Sequence, residues 1–549
     1  GRYAGGIVSG EAEDPEMRFR GEASIRIVDS GAFLEIPFAE GRGSAMLAGR
    51  YSYTGLIVSL LAPDVTLGYW DYQSRISYDF TPEDRISVFG FGSHDYLSAN
   101  NTAGVEQEVL DLTFHRLDTR YTRRIDASSE LDLTLSLGLD RTGVGGDPDE
   151  DEEDPADLRS RMVGLRADFE TQILPNVRLR TGADARLSRF DVDINPPEPG
   201  EEDDDDQEQD DPESAPLTDR VLPAPGFPEV VLDPVLATAI DQGETTFNER
   251  FLQRDDLVSG AWLDAVIDAG SGVTLTPGFR FDVYDNGSEL AYAPEPRVAV
   301  RFDLNETVSL FHDLGIAHQP PSFAIPIPGL SGAGGAGLQR AVQSSAGVEM
   351  RLPSELTATV TLFQNVILNS TDIFGVGTLQ EADASSNAFT TRTTAHSYGA
   401  EFLLQRSLSQ RIGGLLSYTL ARSTRSVTRL RGPSSFDRRH VLNGALAFNL
   451  GRRWRLGTRG MVYSGIPAQV YYPEATKNPP RTPFFYRLDW RLEKQWLIGN
   501  EGAWWALVFE VLNTTLNKEV LTSSCYAYGC VENYIGPVTI PSIGVEASF

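Results

Sequence analysis

Glu130-Leu131-Asp132-Leu133-Thr134-Leu135-Ser136-Leu137-Gly138-Leu139-Asp140 places a leucine at every second position and a polar residue or glycine between. A helix would scatter those leucines around its circumference, whereas a strand points successive side chains to opposite faces. Leu131, Leu133, Leu135, Leu137 and Leu139 therefore share one face of a strand, and Asp132, Thr134, Ser136 and Asp140 the other.

The same period of two recurs along the chain. In Val177–Leu187, Arg178, Arg180, Asp184 and Arg186 oppose Val177, Leu179, Ala183 and Leu187. Arg301 and Asp303 oppose Val298, Val300, Phe302 and Leu304, and Arg487, Asp489, Arg491 and Glu493 oppose Leu488, Trp490 and Leu492. At the C-terminus, Ile543, Val545, Ala547 and Phe549 oppose Ser542, Gly544, Glu546 and Ser548. Charges are expected on one side throughout. These segments outrun the five or six residues usual in a soluble sandwich and match transmembrane barrel strands, with lipid outside and a polar lumen inside. No apolar run approaches the ~18 residues of a membrane-spanning helix; Gly55–Ala62 is typical of the longest.

Connections alternate between two kinds. Tight turns are expected at Glu40–Gly43, Thr81–Asp84, Arg124–Asp126, Leu174–Asn176, Ala269–Gly272, Leu304–Thr307, Pro353–Glu355, Ser407–Gln410, Gly451–Arg452 and Gly499–Gly502. Between them lie long stretches rich in Gly, Pro, Asn and acid: Gly143–Leu158, Asn195–Gln253, Pro320–Gln339, Gly375–Arg392, Tyr472–Pro483 and Ser523–Pro537. Ten tight turns joining eleven hairpin-like pairs imply an all-β, closed antiparallel up-and-down barrel of about 22 strands. The tight turns belong at the periplasmic end and the long, partly acidic loops outside the cell.

The 549 residues carry a net charge of −31. Eight acids lie between Asp147 and Asp157 and eleven between Glu198 and Glu213, leaving −12 for the rest. Such a surface excludes nucleic acid as a partner. The acidic runs read as solvated, self-repelling loops lacking a spaced calcium-loop pattern, with loose cation bridging to lipopolysaccharide phosphates as a further reading. Cys525 and Cys530, five positions apart between two strand patterns, favour a disulfide over free thiols, because an isolated pair without further Cys or His suits an oxidising compartment. His94, His115, His312, His318, His396 and His440 show no metal-ligand spacing. No nucleophile elbow is present, and Gly332–Gly337 lacks the Lys-Ser/Thr of a phosphate loop. An enzyme is not expected, and no cofactor. Tyr69, Trp70, Tyr72, Tyr471, Tyr472, Tyr526 and Tyr528 are expected mainly as interface anchors, a minority facing a ligand. Arg438, Arg439, Arg453, Arg455 and Arg459 are expected to add positive charge to the lumen, largely paired with acids.

Phe436-Asp437-Arg438-Arg439-His440-Val441-Leu442-Asn443, Phe485-Tyr486-Arg487-Leu488-Asp489 and Val511-Leu512-Asn513 resemble late segments of the barrel of TonB-dependent outer-membrane receptors. Gly544, Val545, Ala547 and the final Phe549 resemble the signal by which the barrel-assembly machinery recognises its clients. Gly1-Arg2-Tyr3-Ala4-Gly5-Gly6-Ile7-Val8 resembles the close of the plug domain that precedes such barrels. The resemblance implies residues 1–14 as plug end and linker, 15–549 as barrel, and the outer membrane with its lipid and lipopolysaccharide as the location. It also implies import of a scarce small ligand of siderophore, cobalamin, glycan or peptide class, driven by TonB through a plug that the sequence shows only as its last strand. That plug lies upstream, is a separate chain, or has been lost, and the first is favoured. The competing function is a barrel that works without TonB, as a passive pore or a structural part of a surface assembly.

Overall fold

The computed structural model describes residues 15, 18–61, 65–100, 106–144, 156–193, 254–287, 290–320, 337–371, 392–408, 411–427, 430–470, 479–499, 502–526 and 529–549. The expected plug end at 1–14, both acidic runs except Asp157, and Gly332–Ala336 lie outside these residues.

The wall begins with β1 (Arg20–Arg26), β2 (Asp29–Phe38), β3 (Gly43–Ser52), β4 (Val65–Asp79), β5 (Asp84–Asn100) and β6 (Glu106–Asp126). It continues through β7 (Ser129–Val144), β8 (Ala156–Leu174), β9 (Val177–Asp193), β10 (Arg254–Gly270), β11 (Val273–Asp285) and β12 (Leu290–Asp303). Then come β13 (Val308–Gln319), β14 (Gln339–Leu352), β15 (Leu356–Thr371), β16 (Arg392–Arg406) and β17 (Ile412–Val427). After the short β18 (Leu430–Pro433) follow β19 (His440–Gly451), β20 (Trp454–Tyr463), β21 (Gln469–Val470), β22 (Phe485–Ile498) and β23 (Ala503–Leu512). The last are β24 (Glu519–Tyr526), β25 (Gly529–Ile535) and β26 (Ile540–Ser548).

Each wall strand pairs antiparallel with its neighbours, and β1 pairs with both β2 and β26, so 22 strands close on themselves. β18 only extends β17 at the long-loop end, while β21, β24 and β25 form a separate three-stranded sheet. Among the described residues one α-helix, α1 (Thr54–Leu61), lies against β4. Eight of the ten expected tight turns fall wholly within the described residues and are present, most within two residues of their expected places; Ser409-Gln410 and Asn500-Glu501, in the turns expected at Ser407–Gln410 and Gly499–Gly502, lie outside those residues. At Pro353–Glu355, for example, Ser354 at φ +66° reverses the chain. The opposite end is less uniform than expected, since only Ile27 and Val28 join β1 to β2 there.

The leucines of β7 lie outward: Leu133, Leu135, Leu137 and Leu139 are all exposed. Their alternates point into the lumen, where Asp132 accepts a hydrogen bond from Thr122 and Asp140 meets Arg116 at 2.7 Å. Register carries this parity round the barrel. At the tight-turn end the outward face holds a belt of rings, including Trp496 on Trp505 (centroids 4.3 Å apart), Phe38 on Tyr78 and Phe19 on Phe549. Trp70, Tyr72, His94 and His115 stack outward near the other end. Two such belts flanking an aliphatic band mark two membrane interfaces.

Within the segments read from the sequence the charges do face one side, but beyond them charge also appears on the outward face. β8 has 19 residues, about 60 Å of strand at roughly 3.3 Å per residue, which overshoots an apolar band of about 25 Å even when tilted. Beyond that band the outward face can carry charge, and it holds Arg141, Arg159, Arg161 and Arg189.

Candidate functional site

The lumen wall is built from the inward alternates of every strand, and arginine–carboxylate pairs line it. Arg491 reaches Glu510 (2.5 Å) and Glu546 (2.7 Å), Arg297 reaches Asp264 (2.6 Å), Arg301 reaches Glu349 (3.0 Å), and Arg75 meets buried Glu35 (3.0 Å), which also accepts from Ser44. Each guanidinium presents a planar fork of donors, so a carboxylate on the next strand can take two of its hydrogen bonds. Arg455 and Arg459 face the lumen in register with Glu493 and Asp489, as expected.

Towards the tight-turn end, a hollow of about 780 Å³ opens between β6 and β12. Its centre is Trp262, flanked by Arg166 at 4.5 Å and Arg280 at 4.9 Å from the ring centroid. Asp168 holds Arg166 (2.6 Å), and Asp184 (2.9 Å) and buried Asp282 (2.8 Å) hold Arg280. The indole lies flat on the wall because β9 offers Gly182 beneath it, where a Cβ would stand 2.3 Å from the ring.

On β5 and β6 the inward face turns aromatic. Phe89 stacks on Phe91 (5.1 Å), Phe91 meets Phe114 edge-on (5.9 Å), and the Arg116 guanidinium lies 5.6 Å from the Phe114 ring. On the neighbouring strands β3 and β4, Arg50 donates to Asp71 (2.8 Å) and to the Tyr69 hydroxyl (2.7 Å), which itself donates to Asp71 (2.6 Å). Tyr69 thus faces the lumen while Trp70 and Tyr72 face outward. Rings and cations facing an aqueous interior can bind flat, anionic groups by stacking, cation–π attraction and charge-assisted hydrogen bonds.

The Phe436–His440 segment forms a latch at the rim. The Asp437 side chain is buried, accepts the Ser423 N–H (2.6 Å) and pairs with Arg481, which also donates to the Gly465 carbonyl (3.0 Å). The Arg438 guanidinium sits 3.9 Å over the Tyr463 ring and 3.6 Å from Glu519, and the N–H groups of Arg439 (2.9 Å) and His440 (3.0 Å) donate to Ser464 Oγ. Phe436 is exposed. Asn513 is tied in the same manner, its N–H donating to Asp489 (2.8 Å). Cys525 and Cys530 form a disulfide as register partners in the β24–β25 hairpin, with Cys525 buried and Cys530 exposed. Gly544, Val545 and Ala547 pair with Arg26, Ile25 and Ala23 of β1, and Phe549 exchanges two backbone hydrogen bonds with Gly21, so these four residues form the closing seam. Sequence reasoning missed the Trp262 sandwich and the Asp437–Arg481 pair. Only an inward parity on each strand could have hinted at the first, and nothing local signals the second.

A search of curated proteins finds no match. Among solved structures, the FrpB iron transporter of Neisseria meningitidis superposes with a TM-score of 0.66 at 14% identity, covering 97% of this chain and 81% of that one. The ferric-catecholate import receptor Fiu of E. coli gives 0.65 at 11% identity, with 98% and 82% covered, and FpvA of P. aeruginosa bound to a pyoverdine–iron complex gives 0.64 at 12%, with 98% and 72%. At these identities the likeness is one of fold. The family model described as "TonB dependent receptor-like, beta-barrel" matches residues 37–513, most of the molecule. With that match, a closed barrel of 22 strands and a lumen lined by paired charges, this chain belongs to the TonB-dependent receptor β-barrel family.

Proposed function

We propose that this outer-membrane barrel imports a ferric siderophore, a flat, anionic, partly aromatic complex, and that a plug ending at residues 1–14 gates the lumen and transmits the pull of TonB. The observation that carries the ligand class is the inward patch of Phe89, Phe91 and Phe114 with Arg116, beside Arg50 and Tyr69 on the neighbouring strands. Aromatic faces exposed to a water-filled lumen are unfavourable unless something covers them, and a ligand carrying both rings and negative charge covers them while using the arginines. The similarity of fold to an iron transporter and a ferric-catecholate receptor supports the same reading.

The test is uptake of 55Fe-labelled catecholate and hydroxamate siderophores by iron-starved cells carrying the full-length gene, with and without TonB. Phe91→Ala with Arg116→Ala should lower uptake of at least one ferric siderophore while surface abundance stays unchanged. Uptake that ignores TonB would favour the passive-pore reading. Unchanged uptake by the double variant would remove this patch from the ligand path.

A further inference from the structure

β12 and β13 part partway up the wall. They pair from Asp303 with Ser309 to Arg297 with Gly315, and both strands then run on, β12 to Leu290 against β11 and β13 to Gln319 against β14. Among the described residues no further backbone pair joins the two. The cause is in the sequence. Continued in register, Ile316 would face Pro296, His318 would face Pro294 and Pro320 would face Tyr292. The unbroken β11–β12 ladder turns the backbone groups of Glu295 and Arg297 towards β11, so those of Pro294 and Pro296 turn towards β13. Proline has no N–H to donate there.

Two side chains close the gap instead. The buried Glu295 carboxylate accepts the His318 N–H at 2.6 Å, and the Tyr284 hydroxyl reaches across from β11 to donate to the His318 carbonyl at 3.1 Å. That carbonyl is the one an N–H at position 294 would have met. On the lumenal side Tyr284 packs with Val258 and Ala293, and Ala291 and Leu338 pack against them, so the lining at the seam is apolar. The outer side is apolar too. Pro294, Pro296 and Leu314 are exposed to lipid, and the two prolines lie no further from their tight turn than Leu139 does on β7.

Strands joined by a ladder separate only by unzipping it, and each backbone group freed in hydrocarbon is costly. At this seam the release of two side chains is enough. We infer that the upper β12–β13 seam is a lateral opening of the lumen, latched by Tyr284 and Glu295, through which a long alkyl chain passes between the outer leaflet and the apolar lining at Val258 and Leu338. An alkyl chain fits because both sides of the seam are apolar, whereas a hydrated or charged group would lose its solvation against Pro294 and Pro296. The opening is in the wall and does not depend on which ligand is imported.

The test uses the full-length protein in lipid nanodiscs. Hydrogen exchange read by mass spectrometry should be about tenfold faster in Ile316–Gln319 than in Val308–Leu314, and Pro294→Val/Pro296→Val, which supplies the two missing ladder donors, should slow the upper segment about tenfold. Stearic acid carrying a benzophenone at its chain end is then photolysed with the protein. Adducts are expected on Val258 or Leu338 as well as on lipid-facing Leu314, and the double variant should lose most of the first and keep the second. Folding is checked by the heat-dependent gel shift of the barrel. Should the double variant fold poorly, Tyr284→Phe carries the test, since unlatching should raise both the exchange and the lumenal adducts. Exchange in Ile316–Gln319 as slow as below it, adducts confined to Leu314, or no rise in Tyr284→Phe would overturn the assignment. Lumenal adducts undiminished in a folded double variant would also overturn it, because the chain would then enter by the mouth.

Discussion

At Gly21 a missing methyl group leaves room for the ring that closes the barrel. A Cβ there would stand 2.3 Å from Phe549 Cζ, while the two residues exchange backbone hydrogen bonds of 2.8 and 2.9 Å. Gly21→Val should destabilise the seam by about 1–3 kcal/mol through overpacking, read as a lower temperature for loss of the compact gel form. Adding Phe549→Ala should restore part of the loss, and simple additivity of the two changes would show that the ring and the glycine do not interact. At the rim, Asp437→Ala strands Arg481 beside two carbonyls and should cost about 3 kcal/mol, whereas Asp437→Asn, which keeps the acceptor for Ser423, should cost less. Limited proteolysis between β20 and β22 would report it, and a cleavage pattern identical to wild type would show that the latch does not hold that connection. At single residues the sequence left open which ring faces where. Tyr69, Trp70 and Tyr72 look alike as a cluster, yet strand parity sends the first inward to Arg50 and the others outward to lipid.

For an element, the decisive property is which face a position occupies. Leu135→Arg places a charge in the middle of the lipid-facing band and should cost about 2–4 kcal/mol, while Ser136→Arg, one residue on, points into the lumen and should cost far less. Urea unfolding from lipid vesicles separates them, and equal costs would contradict the parity assigned to β7. This alternation made the wall legible in advance: strands with long dyads and turns marked by Gly, Asn and Asp were found where the pattern put them. Elements without that signature were not. Thr54–Leu61 is a short apolar run that periodicity cannot assign to strand or helix, and it forms α1. The connection at Ser523–Pro537 holds strands β24 and β25, paired with each other away from the wall, so neither a lipid face nor a lumen face imposed a pattern on them. The outward arginines escaped notice for a related reason, since each strand was read as if it ended with the membrane.

At the scale of the whole molecule, 22 strands enclose a lumen too wide for wall side chains to fill. Residues 1–549 alone, inserted in a planar bilayer, should conduct ions as a large pore with a weak cation preference that high salt erases, because most inward charges are paired. A silent bilayer would mean that the long connections occlude the mouth. The closure that makes this pore has its own consequence. Nearly every other contact in the wall is a hairpin between neighbours in sequence, but β1 is seven residues long and meets β26 through five register pairs, Glu22 with Ser548 to Arg26 with Gly544. Those five pairs join opposite ends of the chain, so they carry the largest loop-closure entropy in the molecule and form last. Until β26 has been synthesised and delivered, β1 offers an unsatisfied edge to any passing strand. Nascent molecules are therefore expected to depend on an escort that shields both edges, and to aggregate edge to edge when secretion outruns it.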